Sequence, residues 1–201
     1  PVGNLSRPFV FESIDPTTTF HRGHSMLMNG GTFDVKGASF IGMGRTDPSQ
    51  PIHPTLNIIG RYAAHFHRIS DPTSVGKMVG CVVRDYGKWG LSIHEGNYCT
   101  VENNVFFDGV GSAIVTERGN ETGNKIIGNL VVQVVGGYQL RDSRAGITIL
   151  PKSERPIGLD GNADFAVDGS GFWGRRVGNN LVGNVFVSCA GYGININGYY
   201  S

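Results

Sequence analysis

The stretch ENNVFFDGVGSAIVTERGN (residues 102–120) decides the fold. It holds two short apolar runs, VFF and SAIVT, divided by glycines and preceded by a pair of asparagines. β-Branched and aromatic residues in runs of this length favour strands, while Gly and Asn supply the left-handed backbone that tight turns need. The same order of asparagine, apolar run and glycines returns in IGNLVVQVVGG (residues 127–137) and in VGNVFVSCAGYGININGYY (residues 182–200), and more weakly in VGCVVRDYGKWGLSIHEGN (residues 79–97). Asn104 and Asn129 lie 25 positions apart and Gly90 and Gly111 lie 21 apart, which sets a coil of about 21–25 residues. Self-similarity at a period of this size marks a solenoid. The pattern therefore predicts an all-β chain wound as a right-handed parallel β-helix, with Asn104, Asn129 and Asn184 stacked as a ladder at one turn. A leucine-rich horseshoe needs the L-x-x-L-x-L spacing that this chain lacks, and a β-sandwich has no fixed period.

Composition agrees with that reading. Charged residues are only 16% of the chain, against about 25% in an average soluble protein, and glycine accounts for 31 of 201 residues. Glycine at that density weakens helix interiors, and no window of a dozen residues has a clean amphipathic period. The 17 basic and 16 acidic residues are scattered without a run, so the chain carries no electrostatic footprint for nucleic acid or an anionic membrane. No apolar stretch approaches the roughly 20 residues that cross a bilayer. Three cysteines at irregular spacing, each among apolar neighbours, read as buried free thiols. The whole of residues 1–201 reads as one β-helix segment. It is interrupted by a long loop excursion around 138–176, where the rhythm lapses, and its ends lack the polar cap of a finished solenoid, so the expectation is an excerpt of a larger chain.

Chemistry follows from stacking. Equivalent positions on adjacent coils lie about 4.8 Å apart, so residues distant in sequence form columns on one face. Aligning GLSIHEGN over SAIVTERGN on the shared Gly–Asn sets His94 beside Glu117 and Glu95 beside Arg118. In RYAAHFHRI, His65 and His67 are two apart and share a face, while Phe66 turns toward the core. A lone histidine is ordinarily hydrogen-bonded to nearby backbone, but three imidazoles and a carboxylate on neighbouring coils suit a divalent metal, with Zn, Mn, Fe and Ni not distinguished. The same residues without a metal form an acid–base pair, with His94 held by Glu117 as the proton acceptor.

Two further signals lie late in the chain. Asp160, Asn162 and Asp164, with Asp168 following, have the D-x-N-x-D spacing that starts a calcium loop, without the glycine at position six or the glutamate at position twelve. The run GFWGRR places Trp173 and Arg175 together, and aromatic faces with guanidinium groups suit sugars and uronate carboxylates. Trp89, Tyr86 and Arg61 are candidates for the opposite wall, giving Arg61, Trp89, Trp173 and Arg175 as expected substrate contacts.

The segments GHSMLMN, IGMGRTD, GRYAAHFHRI, WGLSIHEGN, IVTERGNETGN and GFWG, in this order, resemble bacterial right-handed β-helix proteins over most of the chain. More distantly, RYAAHFH followed by IHEG and a glutamate-bearing strand is similar to the β-helix of the cell-migration-inducing hyaluronan-binding protein and transmembrane hyaluronidase family, which carries an R-Y-P-I-H-F-H run. The resemblance implies an extracellular or cell-surface β-helix that handles a polysaccharide, with His65, His67, His94 and Glu117 at the matching positions. The sequence departs from that family where Ala63 and Ala64 replace Pro–Ile, where Glu117-Arg118-Gly119 replaces Glu–Asp–Gly, and in carrying no G8 domain within these 201 residues. Two functions follow as expectations. One is a metal-dependent enzyme that degrades an acidic polysaccharide, by hydrolysis between Glu117 and Glu95 or Asp85 or by β-elimination from a base. The other is a non-catalytic carbohydrate-binding, adhesin or structural β-helix whose metal staples the coils together.

Overall fold

The computed structural model describes residues 3–50, 52–69, 73–137 and 165–197. Seventeen strands in this part of the chain form three parallel sheets. The first sheet stacks β1 (Phe9–Glu12), β4 (Ala38–Ile41), β7 (Val82–Arg84), β10 (Val105–Val110), β13 (Leu130–Val135) and β16 (Val185–Cys189). The second stacks β2 (Ser25–Leu27), β5 (Ala64–His67), β8 (Trp89–His94), β11 (Ser112–Thr116), β14 (Phe172–Gly174) and β17 (Ile194–Ile196). The third stacks β3 (Thr32–Lys36), β6 (Val75–Val79), β9 (Thr100–Glu102), β12 (Lys125–Ile127) and β15 (Asn180–Val182). The chain visits the sheets in strict rotation, one strand of each per coil, which is a right-handed parallel β-helix.

Each coil buries one inward column per sheet. In the first sheet Phe40, Val83, Phe106, Val131 and Phe186 are in register, and Phe11 stacks on Phe40 at 5.0 Å between ring centroids. In the third, Met78, Val101, Ile126 and Leu181 are in register. A fully buried side chain of this size contributes about 1.5–3 kcal/mol relative to exposure, so each added coil supplies several such terms at once.

Turns hold the register. From the third sheet to the first only one or two residues intervene, and Gly37, Gly80, Asn103, Gly128 and Gly183 occupy equivalent places there with positive φ. The asparagine that follows forms the ladder. Asn104 Nδ2 donates to Asn129 Oδ1 at 2.9 Å, and Asn129 Nδ2 donates to Asn184 Oδ1 at 2.9 Å. A second ladder, absent from the sequence reading, stands at the other end of the third sheet, where Asn124 Nδ2 donates to Asn179 Oδ1 at 2.8 Å. Cys81 and Cys99 extend the two ladders by one coil each: their backbone N–H groups donate to Asn104 and Asn124. Cys81 and Cys99 are buried free thiols and Cys189 is half-buried.

The coil length varies more than the spacing of the asparagines suggests. Val79 pairs with Glu102 and Glu102 with Ile127, offsets of 23 and 25 residues, but Phe40 pairs with Val83 at an offset of 43 because residues 42–63 are inserted between β4 and β5. The late excursion also ends sooner than 176. Residues 138–164 lie outside the described part, whereas β14 is a full member of the second sheet, paired with β11 and β17. Its strand has only three residues and follows a run of glycines, so its sequence reads as loop. Gly171 is required there by close approach, since a Cβ would sit 2.1 Å from the Phe186 ring and 2.7 Å from the Gly193 carbonyl oxygen.

Candidate functional site

The strands of the second sheet end in the histidines. His67 pairs directly with His94 in the β5–β8 register, and the β8–β11 register places Glu117 on the next coil beside His94. His65 pairs with Ser92, one position inward along the same outer face. Ligating nitrogens of His65, His67 and His94 all lie within 4.8 Å of one another. Nδ1 of His94 and Nδ1 of His67 are 3.1 Å apart, and the His65 and His94 rings are nearly parallel, 15° between planes. Phe66 is buried in the core, on the opposite face.

Each imidazole has a distinct environment. His65 is 2% exposed, and its Nδ1 lies 2.9 Å from the Gly60 carbonyl oxygen, an acceptor only. The Nδ1–H therefore donates, which leaves Nε2 with its lone pair. Nε2 is buried and has no hydrogen-bond partner among the described residues. Gly60 has φ +83°, and a Cβ there would meet His65 Cε1 at 3.4 Å, so glycine lets the carbonyl approach the ring. Burial drives the His65 pKa down to about 3, and burial also lowers those of His67 and His94, which are opposed in each case by the negative charge of Glu95. Neutral imidazoles at pH 7 are the form that binds a metal or accepts a proton.

The carboxylates stand at the edge of this group. Glu117 Oε2 accepts the Ser92 hydroxyl at 3.0 Å and lies 4.0 Å from His94 Nδ1, outside the three-histidine group itself. Glu95 Oε1 is 3.8 Å from His94 Nε2, and Glu95 also pairs with Arg68 at 3.2 Å and Arg118 at 3.3 Å. The two carboxylates thus face different nitrogens of His94. Asp85 is not part of this site. It lies before β8, at the other end of that strand from His94, and binds Arg22 with Oδ1 to Nη2 at 3.0 Å.

The expected sugar contacts divide. Trp89 and Trp173 are buried, packed with Tyr62, Val115 and Ala166 in a second core on the outer side of the second sheet. Phe165 lies against both indoles, at 5.4 and 5.1 Å, and Trp89 Nε1 donates to the Ala166 carbonyl. Neither ring offers an open face to a sugar, because the chain's own segments cover this side of the sheet. Tyr86 is likewise buried, in the main core. Arg175 stacks over Phe165 and donates from Nε to the Glu117 carbonyl at 2.7 Å, bracing the turn that carries Glu117. Arg61 is half-buried beside the histidines. Asp160, Asn162 and Asp164 lie outside the described residues, and the Asp168 carboxylate accepts from Ser112, Ser170 and Asn195.

Sequence reasoning passed over three supporting residues. Ser92 is two positions before His94, so the alternation that paired His65 with His67 also puts it on this face. Tyr62 packs its ring 5.0 Å from that of His65. Glu121, only 4% exposed, accepts the backbone N–H groups of Glu95, Arg118 and Gly119 and so fixes the turns after β8 and β11. Nothing in its local sequence announces this role.

Fold and site together define a parallel β-helix that gathers three neutral histidines at the strand ends of one sheet, with glutamates beside them. A family model described as the CEMIP beta-helix matches residues 21–198, and the chain belongs to that family. It is 33% identical to human fibrocystin-L over 101 residues, which is 50% of this chain and 2% of that protein. It is 29% identical to a G8 domain-containing protein of Dictyostelium discoideum over 182 residues, 90% of this chain and 11% of that one. Mouse fibrocystin-L matches at 33% over 76 residues. These relatives are eukaryotic, not bacterial, and the chain spans only a small part of their length. No solved structure matches. Among the described residues no helix is long and apolar enough to cross a membrane.

Proposed function

We propose that this β-helix acts outside the cell or at its surface on an acidic polysaccharide of the hyaluronan type, and that His65, His67 and His94 hold a divalent metal at the point of cleavage. One observation carries the reading: a buried His65 Nε2, its tautomer set by Gly60, has no hydrogen-bond partner and lies within reach of two other imidazoles. A buried acceptor without a partner costs about 1–3 kcal/mol, and a metal bound by the three imidazoles would supply that partner. A bound metal would supply Lewis-acid polarisation of a substrate oxygen. With its lone pair given to the metal, His94 cannot also take a proton, and the flanking carboxylates are then the acceptors: Glu117, held by Ser92, and Glu95. Without a metal, His94 accepts the proton itself and Glu117 orients it. A second reading keeps the metal and omits the chemistry: His67 and His94 sit on adjacent coils, so one ion would staple β5 to β8 in a binding or adhesin module.

Elemental analysis of the purified chain, followed by titration of the metal-free protein with Co²⁺, tests the site. Visible absorption bands that vanish in His65→Ala and His94→Ala are expected, and no retained metal with no cobalt bands would overturn it. Hyaluronan digestion, followed by chain length and near-ultraviolet absorbance, separates hydrolysis from β-elimination, which alone leaves an absorbing product. His94→Ala and Glu117→Ala should each slow cleavage by about 10²–10⁴. A metal-loaded protein that cleaves nothing, and whose His94→Ala variant merely melts earlier, establishes the stapling reading instead.

A further inference from the structure

Three basic residues are brought onto neighbouring segments beside the histidine group, and none has a carboxylate partner among the described residues. His24, Arg45 and Arg61 come from segments far apart in sequence, brought side by side by backbone hydrogen bonds. Gly44 N–H donates to the Gly23 carbonyl at 2.8 Å, Arg45 N–H to the Arg61 carbonyl at 2.8 Å, and Ser25 N–H to the Ala63 carbonyl at 3.2 Å. Thr46 closes the arrangement, its hydroxyl accepting Arg61 N–H at 3.0 Å. Residues 23–25, 44–46 and 61–63 therefore run as neighbours, and the three side chains are each half-buried.

Their electrostatics are unbalanced. Burial, and then the charges of Arg61 and Arg45, lower the His24 pKa, and the Arg61 charge also reaches His65. Arg61 Nε is buried and has no hydrogen-bond partner among the described residues. Other arginines have a carboxylate partner: Arg68 and Arg118 share Glu95, and Arg22, further away, pairs with Asp85. No carboxylate pairs with Arg45 or Arg61 among the described residues. Two arginines on hydrogen-bonded neighbouring segments, both acting on His24 and one with a desolvated N–H lacking an acceptor, are balanced when an anion joins them.

The position is specific. Arg61 follows Gly60, whose carbonyl holds His65, and Met26, two residues after His24, pairs with His65 in the β2–β5 register. Arg61 thus lies beside His65 on the same coil, with His24 one coil before it along the helix axis.

We propose that His24, Arg45 and Arg61 form an oxyanion seat, occupied by a carboxylate or sulfate of the polysaccharide whose neighbouring linkage lies at the histidine group. This rests on the polysaccharide reading for its occupant, while the seat itself rests on the basic cluster. A charge-assisted hydrogen bond contributes about 1.5–3 kcal/mol, so losing one arginine weakens binding by roughly 10- to 150-fold.

Binding is measured by calorimetry with the metal-loaded chain and four probes: hyaluronan oligosaccharides, the same oligosaccharides with carboxyl groups reduced to alcohols, a sulfated glycosaminoglycan, and inorganic sulfate. Arg45→Gln and Arg61→Gln should weaken the charged oligosaccharides by that factor, flatten the salt dependence, and leave the reduced oligosaccharides and the cobalt spectrum unchanged. Circular dichroism establishes that each variant folds, and Arg61→Lys, which keeps the charge, should restore part of the affinity. Preference for the uronate or the sulfated chain identifies which oxyanion fits. If the charged polymers bind the variants as tightly as the parent, the seat is wrong and the polysaccharide reading stands. If no polymer binds but inorganic sulfate does, and is lost in Arg61→Gln, the polysaccharide reading is wrong and the seat stands. If the parent binds neither polymer nor sulfate, the seat is refuted.

Discussion

Asn129→Ala tests the ladder at the point where most of its bonds converge. Asn129 is 1% exposed, and its Oδ1 accepts both the backbone N–H of Asn104 at 3.0 Å and Asn104 Nδ2 at 2.9 Å. Its Nδ2 donates to the Val101 carbonyl and to Asn184 Oδ1, each at 2.9 Å. Alanine removes all four. The Asn104 N–H becomes a buried donor without an acceptor, at about 1–3 kcal/mol, and the other three bonds had contributed about 1 kcal/mol each before partial replacement. Less about 1 kcal/mol for that replacement, the net loss is about 3–5 kcal/mol, a large share of the roughly 5–15 kcal/mol that separates native from unfolded chains. Asn184→Ala also removes the acceptor of the Asn129 N–H, but this is the half-exposed end of the ladder, where water can reach the freed groups, so a smaller loss of about 1–2 kcal/mol is expected there. The assay is urea unfolding followed both by circular dichroism and by the fluorescence of Trp89 and Trp173, with coincident transitions confirming a single cooperative unit. At about 2–4 °C per kcal/mol, Asn129→Ala should melt roughly 6–20 °C below the parent. Equal costs at the two sites, or a loss at Asn129 below 1 kcal/mol, would refute the claim that the ladder sets the register energetically.

Other perturbations separate tight from open positions. Gly111→Ala should prevent folding, because φ is +79° and its Cβ would fall 1.6 Å from the Lys88 carbonyl oxygen; Gly30→Ala, with φ +80° and nothing within 4 Å, should cost only about 1–2 kcal/mol, and expression with circular dichroism compares them. Burial raises the Cys99 thiol from 9.0 to about 12, so the folded chain keeps that proton while the unfolded chain releases it above pH 9. Its contribution is therefore full below pH 9 and lost as pH rises toward 12; a Cys99→Ala chain should show a flatter decline in urea midpoint over pH 8–10.5, and a disulfide reagent at pH 8 should label Cys189 before Cys99. Arg118→Ala should change stability by less than about 1 kcal/mol in thermal melts, since the guanidinium is 67% exposed and Glu95 keeps Arg68.

The fold was legible wherever a residue type recurs at a turn. Asn104, Asn129 and Asn184 announce their coils because only a side chain that bonds the neighbouring backbone stacks there, and no other residue substitutes cheaply. The first two coils carry no such mark. Cys81 stands at the ladder position of the second coil, and residues 42–63 stretch its spacing to 43, so β1–β6 were not identified from the period. At the site, the shared Gly–Asn after β8 and β11 fixed His94 against Glu117, and two-residue alternation placed His65 with His67. Exposure of the tryptophans was not legible. Trp89 and Trp173 are covered by Tyr62 and Phe165, which arrive from an insertion and from the end of the excursion, and no local pattern reports where a loop lands.

The three corners of the coil explain why the chemistry collects where it does. The turn from the third sheet to the first is fixed at one or two residues by a left-handed position and then the asparagine ladder, so it tolerates no new side chains. The passage from the first sheet to the second takes the insertions before β2, β5 and β14, and two of these deliver Arg61 and Phe165 to the outer face of the second sheet. The turn from the second sheet to the third runs from four to eight residues; only its last position carries the Asn124–Asn179 ladder, and the backbone before it is held by a buried side chain, Glu121. His67, His94 and Glu117 stand at the entrance to that turn. A parallel β-helix allows change without loss of register only at such corners, and here the insertions and the irregular turns flank the same strands, β5, β8 and β11. The paired strands therefore fix the spacing of the imidazoles while the segments of varying length around them set what can approach, which is the division a binding or catalytic surface on a solenoid requires.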